Sequence, residues 1–95
     1  MMAYVLVIHE VEDYDKWKPV YDEDGAVREA KGSKGAFVFR NADNRNKVVV
    51  LTHWENMESA KNFAEADELR VTMQKAGVKG QPEVYYLEEI ETTPY

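Results

Sequence analysis

The segment Ala3–Val11 is apolar on both faces of the strand that its β-branched composition predicts. Side chains point alternately to the two faces of a strand. The two sets here are Val5, Val7 and Val11 on one face and Tyr4, Leu6 and Ile8 on the other. Segment Lys47–Trp54 repeats the pattern. An antiparallel sheet with one face in water alternates apolar and polar residues instead. These strands therefore predict a sheet that is covered on both faces.

β-like and helical segments alternate along the chain in the order βαββαβ, which predicts an α+β fold with a four-stranded sheet. The predicted strands are Ala3–Val11, Ala36–Arg40, Lys47–Trp54 and Val84–Ile90. The first helical block is Asp13–Lys31, and the second runs from Asn56 to Gly77 in two helices. The polar run 41–46 predicts a hairpin turn, and the segment Lys79–Pro82 predicts a loop.

Capping and helix-breaking residues refine the two helical blocks. Asp13, Asn56 and Asp67 are predicted N-caps, because their short oxygen-bearing side chains can accept a hydrogen bond from the first turn. Pro19 predicts an irregular first turn or a kink. Asp24 with the following glycine predicts a second weak point in the same block.

Composition restricts the class of protein. The 95 residues predict one domain spanning residues 1–95. With 18 acidic and 12 basic residues, the net charge of −6 argues against nucleic-acid or anionic-membrane partners, which require clustered cations. The absence of cysteine excludes disulfides, thiolate metal sites and cysteine nucleophiles. The first residues lack the pattern of a signal peptide, so a cytoplasmic location is expected.

Two helical blocks can cover only one face of a four-stranded sheet, so a second copy of the chain is expected on the other face. We expect a homodimer in which the two sheets meet face to face. The predicted interface residues are Leu6, Ile8, Val49 and Leu51, with His53 near the rim. The C-terminal tail, Thr92–Tyr95, is expected to reach across to the partner.

Four stretches of the sequence resemble the antibiotic-biosynthesis-monooxygenase-like proteins of the dimeric α+β barrel superfamily. They are VLVIHEVEDYDKW, KGAFVFRNADN, VVVLTHWENMESAKNFAEADELR and MQKAGV. The resemblance implies a ferredoxin-like fold with an antiparallel sheet in the order 4-1-3-2. It also implies a ligand pocket between the sheet and the helices of each subunit.

Haem-degrading members of that superfamily carry a polar residue on the first strand, a tryptophan ending the third strand and a histidine on the following helix. His9 and Trp54 match the first two positions, whereas Phe63 occupies the third. We therefore expect no haem and no other cofactor. A shared metal between His9 and His53 is not expected either, because their strands place them roughly 13 Å apart and on opposite faces.

Three polar residues are candidates for catalysis: His9, Arg28 and Asp24. His9 is either a histidine satisfied by core hydrogen bonds or a base in the pocket that the resemblance implies. Asp24 and Arg28 fall on the helix stripe of the aromatic residues Trp17 and Tyr21. They either rotate to solvent or form a simple i,i+4 pair, or they line the pocket with Arg28 holding an anionic or carbonyl oxygen.

Five aromatic residues are candidate substrate-binding walls, and they are Trp17, Tyr21, Trp54, Phe63 and Tyr86. Trp54 and Tyr86 are equally compatible with a role in the core alone. Trp54 is expected to end its strand close to Arg28, where a cation–π contact could form.

Two functional hypotheses follow. In the first, the chain is a homodimeric small-molecule-binding protein that acts as a cofactor-independent monooxygenase or isomerase on a planar, aromatic compound. In the second, it is a non-enzymatic ligand sensor or structural dimer with a residual cavity.

Overall fold

The computed structural model describes residues 2–95. Within them the chain forms four strands and four helical segments in the predicted order. Their bounds are β1 Ala3–Val11, α1 Tyr14–Glu23, α2 Gly25–Ala30, β2 Ser33–Arg40, β3 Lys47–Trp54, α3 Met57–Ala64, α4 Asp67–Lys75 and β4 Val78–Glu88. The predicted bounds of β1 and β3 are confirmed at both ends.

The four strands form one antiparallel sheet in the order β2-β3-β1-β4, which confirms the expected ferredoxin-like topology. Along the central pair, His9 lies opposite Val48 and Tyr4 lies opposite His53. The two histidines therefore occupy opposite ends of the β1–β3 pair, and their side chains point to opposite faces of the sheet. This register keeps them too far apart to bind one metal ion together.

The first helical block breaks at Asp24 into α1 and α2, whereas α1 continues through Pro19, where a kink was expected. Pro19 lies inside α1 on its exposed side, as does Asp15. The carbonyl of Asp15, which loses its helical partner to the proline, thus reaches water. Among residues 2–95, no helix is long and apolar enough to cross a membrane.

Two of the three predicted N-caps are confirmed. The carboxylate of Asp13 accepts a backbone hydrogen bond at 2.9 Å, and the amide oxygen of Asn56 accepts one at 2.8 Å. The prediction for Asp67 is wrong by one residue, because Ala66 is the N-cap of α4 and makes no side-chain cap. Asp67 is instead the first helical residue, where its charge favours the helix N-terminus.

Both edge strands begin earlier than predicted. β2 starts at Ser33 rather than Ala36, and β4 runs over Val78–Glu88 rather than Val84–Ile90. The segment Lys79–Pro82, predicted as a loop, therefore belongs to β4. Lys79 pairs with Glu10 of β1 and residues 80–82 bulge out before the pairing resumes at Glu83, a long-range arrangement that local propensity does not register.

The helices cover one face of the sheet and leave the other open. On the covered face, the alternate residues of β1 and β3 are buried against the helices. The core residues on this side are Ala3, Val5, Val7, Val11, Trp17, Val48, Val50, Trp54, Ala60, Phe63 and Ala76. Two polar residues, His9 and Thr52, are buried on the same side of the sheet. The core therefore places one histidine inside the sheet–helix layer.

Candidate functional site

A pocket lies between the covered face of the sheet and the helices. Its cavity volume is about 60 Å³, which is below the range of about 300–1,000 Å³ that is usual for small-molecule sites. Its lining residues are Val7, His9, Val50 and Thr52 from the sheet; Trp17, Val20, Tyr21, Asp24 and Arg28 from the first helical block; and Phe63, Leu69, Thr72, Met73 and Ala76 from the second. We call this space the inner pocket.

His9 is the buried titratable group in the inner pocket. It is only 7% exposed, and neither ring nitrogen has a hydrogen-bond partner among residues 2–95. Desolvation lowers the pKa of His9 from 6.5 to about 4, so the imidazole is neutral at pH 7. The interpretation of His9 as a histidine satisfied by core hydrogen bonds is therefore wrong. Its nitrogens are available to a ligand.

The strand pairing is interrupted beside His9. Ile8 pairs with Glu83 and Glu10 pairs with Lys79, so three residues of β4 lie opposite the single residue His9. Bulges of this kind are common next to active sites, because they redirect side chains and open the sheet locally. The bulge comprises residues 80–82, and its glycine adopts a positive φ of 67°. The sheet is thus irregular at the one buried histidine.

Aromatic side chains on α1 form one wall of the inner pocket. The rings of Trp17 and Tyr21 stack with their centroids 5.0 Å apart, and Trp17 also approaches His9 at 5.7 Å. The guanidinium of Arg28 lies over the ring of Tyr21 at 3.8 Å. Trp17, Tyr21 and Arg28 therefore form a continuous stack that starts beside the histidine.

Asp24 and Arg28 both reach the inner pocket although the helix breaks between α1 and α2. Their side chains are only 14% and 11% exposed, and their closest charged atoms are 3.8 Å apart. At that distance the pair is an ion pair with no tight hydrogen bond. Arg28 consequently keeps N–H donors for another acceptor. The alternative in which both charges turn to solvent is wrong.

Trp54 does not line the inner pocket. It is fully buried, packs on Phe63 at 5.0 Å, and donates its indole N–H to Thr52 Oγ1 at 2.8 Å. The contact expected between Trp54 and Arg28 is not formed, because Arg28 stacks on Tyr21 instead. Trp54 therefore contacts two residues of the pocket wall, Phe63 and Thr52, without lining the pocket itself.

Tyr86 also lies outside the inner pocket. Its hydroxyl donates to Glu65 at 3.1 Å, and Lys61 Nζ lies 5.6 Å from its ring. Partial burial and the bond to Glu65 raise the pKa of Tyr86. The structure thus brings six of the eight candidates together, namely His9, Arg28, Asp24, Trp17, Tyr21 and Phe63, and leaves Trp54 and Tyr86 elsewhere.

Three further polar or flexible residues line the inner pocket but were not among the candidates. Thr52 shares the face of Val50 on β3, so strand alternation could have identified it. Thr72 and Met73 come from α4. Helix periodicity indicates an inward face, but it does not distinguish a core contact from a pocket wall.

Within residues 2–95, no three His, Asp or Glu side chains are grouped closely enough to hold a metal ion. Phe63, which the resemblance places at the position of a haem-ligating histidine, lines the inner pocket and offers no ligand atom. The side chains that line the inner pocket therefore do not form a haem-ligating set of that kind.

The architecture defines a class of protein: a ferredoxin-like α+β layer with a mostly apolar pocket between sheet and helices. The family model of antibiotic biosynthesis monooxygenases matches residues 9–75, which is 67 of the 95 residues. This chain belongs to the antibiotic biosynthesis monooxygenase family. No curated protein matches the sequence.

Solved structures agree with this fold. SnoaB, a cofactor-independent oxygenase from Streptomyces nogalater, is 13% identical with a TM-score of 0.77, and the match covers 99% of this chain and 97% of SnoaB. Rv0793 from Mycobacterium tuberculosis is 10% identical with a TM-score of 0.72 over 97% and 98% of the two chains. A conserved protein from Methanosarcina mazei Go1 is 12% identical with a TM-score of 0.67 over 95% and 94%. At these identities the similarity establishes the fold.

Proposed function

We propose that this protein is a homodimeric cofactor-independent oxygenase that binds a planar, phenolic or enolic compound in the inner pocket. One observation carries the proposal: His9 is buried in an apolar pocket with both ring nitrogens free of protein partners among residues 2–95. Leaving a buried polar group unsatisfied is costly, so such a group indicates a ligand that completes its hydrogen bonds. The family membership and the oxygenase SnoaB support the same reaction class.

The reaction requires a base, an anion holder and a dry cavity. Neutral His9 accepts the proton of the acidic substrate, and Arg28 binds the resulting oxyanion. The carbanion form of the substrate transfers an electron to dioxygen, and the radical pair combines into a peroxide at carbon. The imidazolium of His9 returns the proton, and loss of water from the hydroperoxide leaves a carbonyl. In balance, a methylene group of the substrate and one dioxygen molecule give a carbonyl group and one molecule of water.

The apolar walls serve two purposes in this proposal. Trp17, Tyr21 and Phe63 exclude water and offer flat surfaces to a planar ring. Because burial disfavours the charged imidazolium, the protonated His9 is stable only beside the anion that it has just created. Return of the proton to the substrate is therefore favoured.

The open face of the sheet supports the proposed homodimer. Phe37 and Phe39 of β2 lie beside Leu51 and Val49 of β3, and they are 57% and 52% exposed. On the other edge Tyr85 pairs with Leu6, and it is also exposed. An apolar surface that crosses all four strands is characteristic of an interaction site, so we propose that an identical face covers it.

The tail adds a second reason for a partner. Ile90 is 88% exposed and Tyr95 is 99% exposed. We propose that the tail from Thr92 to Tyr95 lies against the partner subunit, where Tyr95 and the preceding Ile90 become buried.

The alternative is a non-enzymatic ligand-sensing or structural dimer, and two observations favour it. A pKa of about 4 makes His9 a weak base. The volume of the inner pocket open to the centre of a water-sized molecule is only about 60 Å³, so a bound ring must displace wall side chains.

Ligand binding and oxygen consumption separate the two functions. Thermal unfolding and an oxygen electrode would be used with phenolic and anthrone-type compounds on wild type, His9→Leu and the control His53→Gln. The oxygenase predicts stabilisation by a compound together with oxygen uptake, both lost in His9→Leu and kept in His53→Gln. Stabilisation without oxygen uptake favours the sensor. No stabilisation and no uptake would contradict the proposed site.

A further inference from the structure

A second cavity, which we call the outer groove, lies between α4 and β4. Its cavity volume is about 290 Å³. It is lined on its outer side by Ala66, Arg70, Gln74, Gly80, Gln81 and Pro82. Three of these, Gly80 to Pro82, form the β4 bulge opposite His9. The bulge thus connects the groove to the candidate catalytic histidine.

The inner pocket and the outer groove share three lining residues: Val7, Leu69 and Met73. A side chain that faces two cavities is the wall between them. Val7 is a buried, stiff residue of β1, whereas Leu69 and Met73 lie one turn apart on α4 and are only half-buried. Met73 is the flexible member, because an unbranched thioether chain adapts its shape easily.

Resting on the proposed function, we propose that Met73, together with Leu69, gates a passage between the two cavities, so that the site takes an elongated multi-ring ligand. One ring occupies the inner pocket at His9, and the rest of the ligand passes Met73 into the outer groove. The inner pocket alone is small for more than one ring, whereas the two cavities together reach the lower end of the range, from about 300 Å³, that is usual for sites of drug-sized ligands.

The polar side chains of the outer groove determine which chemical group the far end of the ligand can carry. The amides of Gln74 and Gln81 and the guanidinium of Arg70 lie along it. Arg70 Nη1 lies 3.6 Å from Asp67 Oδ1 in a solvent-exposed ion pair. Exposed pairs of this kind are weak, so the guanidinium remains available to a ligand. The groove therefore fits a hydroxyl or carboxylate group at the end remote from the reacting ring.

Three probes test this inference: 4-methylphenol, 2-naphthol and 6-hydroxy-2-naphthoate, the last with hydroxyl and carboxylate at opposite ends. Dissociation constants would be measured by calorimetry. We expect Met73→Phe, which fills the passage, to weaken both naphthalene probes about tenfold while changing 4-methylphenol less than about twofold. Met73→Ala, which widens the passage, should strengthen binding of the naphthalene probes by a larger factor than it changes binding of 4-methylphenol.

Controls separate the gate from general effects. Met57→Ala removes a half-buried methionine of α3 that packs on the core outside both cavities, and it should leave all three affinities unchanged. Arg70→Gln should weaken the binding of 6-hydroxy-2-naphthoate severalfold and leave the binding of the other two probes unchanged. Thermal unfolding confirms that each variant is folded.

The outcomes distinguish the two proposals. Equal changes for one-ring and two-ring probes in the Met73 variants overturn the gate and leave the inner pocket as the site. The gate is also overturned if wild type binds 4-methylphenol and Met73→Ala gains no affinity for 2-naphthol. If no probe binds to wild type, the proposed function itself fails, and the gate fails with it.

Discussion

At the scale of single residues, the burial of His9 couples the site to the stability of the fold. An imidazole that is neutral in the folded protein and charged in the unfolded chain makes stability depend on pH. His9 is the group in residues 2–95 whose pKa is lowered in this way by desolvation alone. The burial that keeps the His9 nitrogens free for a ligand therefore lowers the free energy of unfolding at acidic pH.

We predict that His9→Leu makes the protein less sensitive to acid. The pKa of His9 is about 4 when folded and 6.5 when unfolded, so between these values only the unfolded chain takes up the proton. The free energy of unfolding of wild type should therefore fall as the pH drops from 6.5 to 4, by about 3 kcal/mol from this residue. Urea unfolding at pH 7.5 and 4.5 measures the difference. His53→Gln is the control, and parallel pH dependences of wild type and His9→Leu would contradict the prediction.

We predict that Thr52→Val is more destabilising than Thr52→Ser. Thr52 Oγ1 accepts the indole N–H of the fully buried Trp54, and valine keeps the shape but removes the acceptor. An unsatisfied buried donor costs about 1–3 kcal/mol, whereas serine retains the hydroxyl. Urea unfolding followed by tryptophan fluorescence measures both variants. Equal loss in the two variants would mean that packing rather than the hydrogen bond holds Trp54.

At the scale of elements, the second helical block consists of two short helices with different caps. α3 begins after Asn56, whose side chain accepts the N–H of Ser59. α4 begins after Ala66, which has extended backbone angles suitable for a cap but no oxygen to supply one. Since α4 carries the proposed gate, the stability of its first turn bears on the site.

We predict opposite effects of two substitutions at these caps. Asn56→Ala should lower the free energy of unfolding by about 1 kcal/mol, because one first-turn N–H loses its acceptor. Ala66→Ser should raise it by about 0.5–1 kcal/mol, because a hydroxyl can now accept from the first turn of α4. Chemical unfolding measures both. A loss of stability in Ala66→Ser would show that the backbone there cannot use a side-chain cap.

At the scale of the whole molecule, the sheet has one face packed on helices and one face that is apolar and uncovered. The open face includes Phe37, Phe39, Leu51 and Tyr85, and it crosses all four strands. A stable interface between subunits removes roughly 1,200 Å² or more from water in total. Two such faces packed together can reach that size.

We predict that Leu51→Glu abolishes the proposed dimer. Leu51 lies between Leu6 and Phe37 at the centre of the open face, where a carboxylate would be buried without a partner. Sedimentation velocity should show a wild-type dimer whose melting temperature rises with concentration, and a monomeric or aggregating variant. Val71→Glu is the matched control, because Val71 is 63% exposed on α4 and away from this face. A folded wild-type monomer at micromolar concentration would overturn the dimer.

Local signals determined the elements of this protein and the face that each strand residue occupies. Side-chain parity divided the residues of Ala3–Val11 and Lys47–Trp54 between two faces, and the oxygen-bearing side chains of Asp13 and Asn56 predicted where helices begin. These features depend on backbone geometry within a few residues, so they can be read without knowing the partners of each segment.

Features that depend on long-range packing could be seen only in the tertiary structure. The segment Lys79–Pro82 carries loop residues, yet pairing with β1 makes it a bulged strand beside His9. The guanidinium of Arg28 stacks on Tyr21 rather than on Trp54, where the contact was expected. The lack of hydrogen-bond partners for the His9 nitrogens among residues 2–95 likewise depends on all the elements that pack around the ring. Such features depend on contacts between residues far apart in the chain, for which local sequence patterns carry no signal.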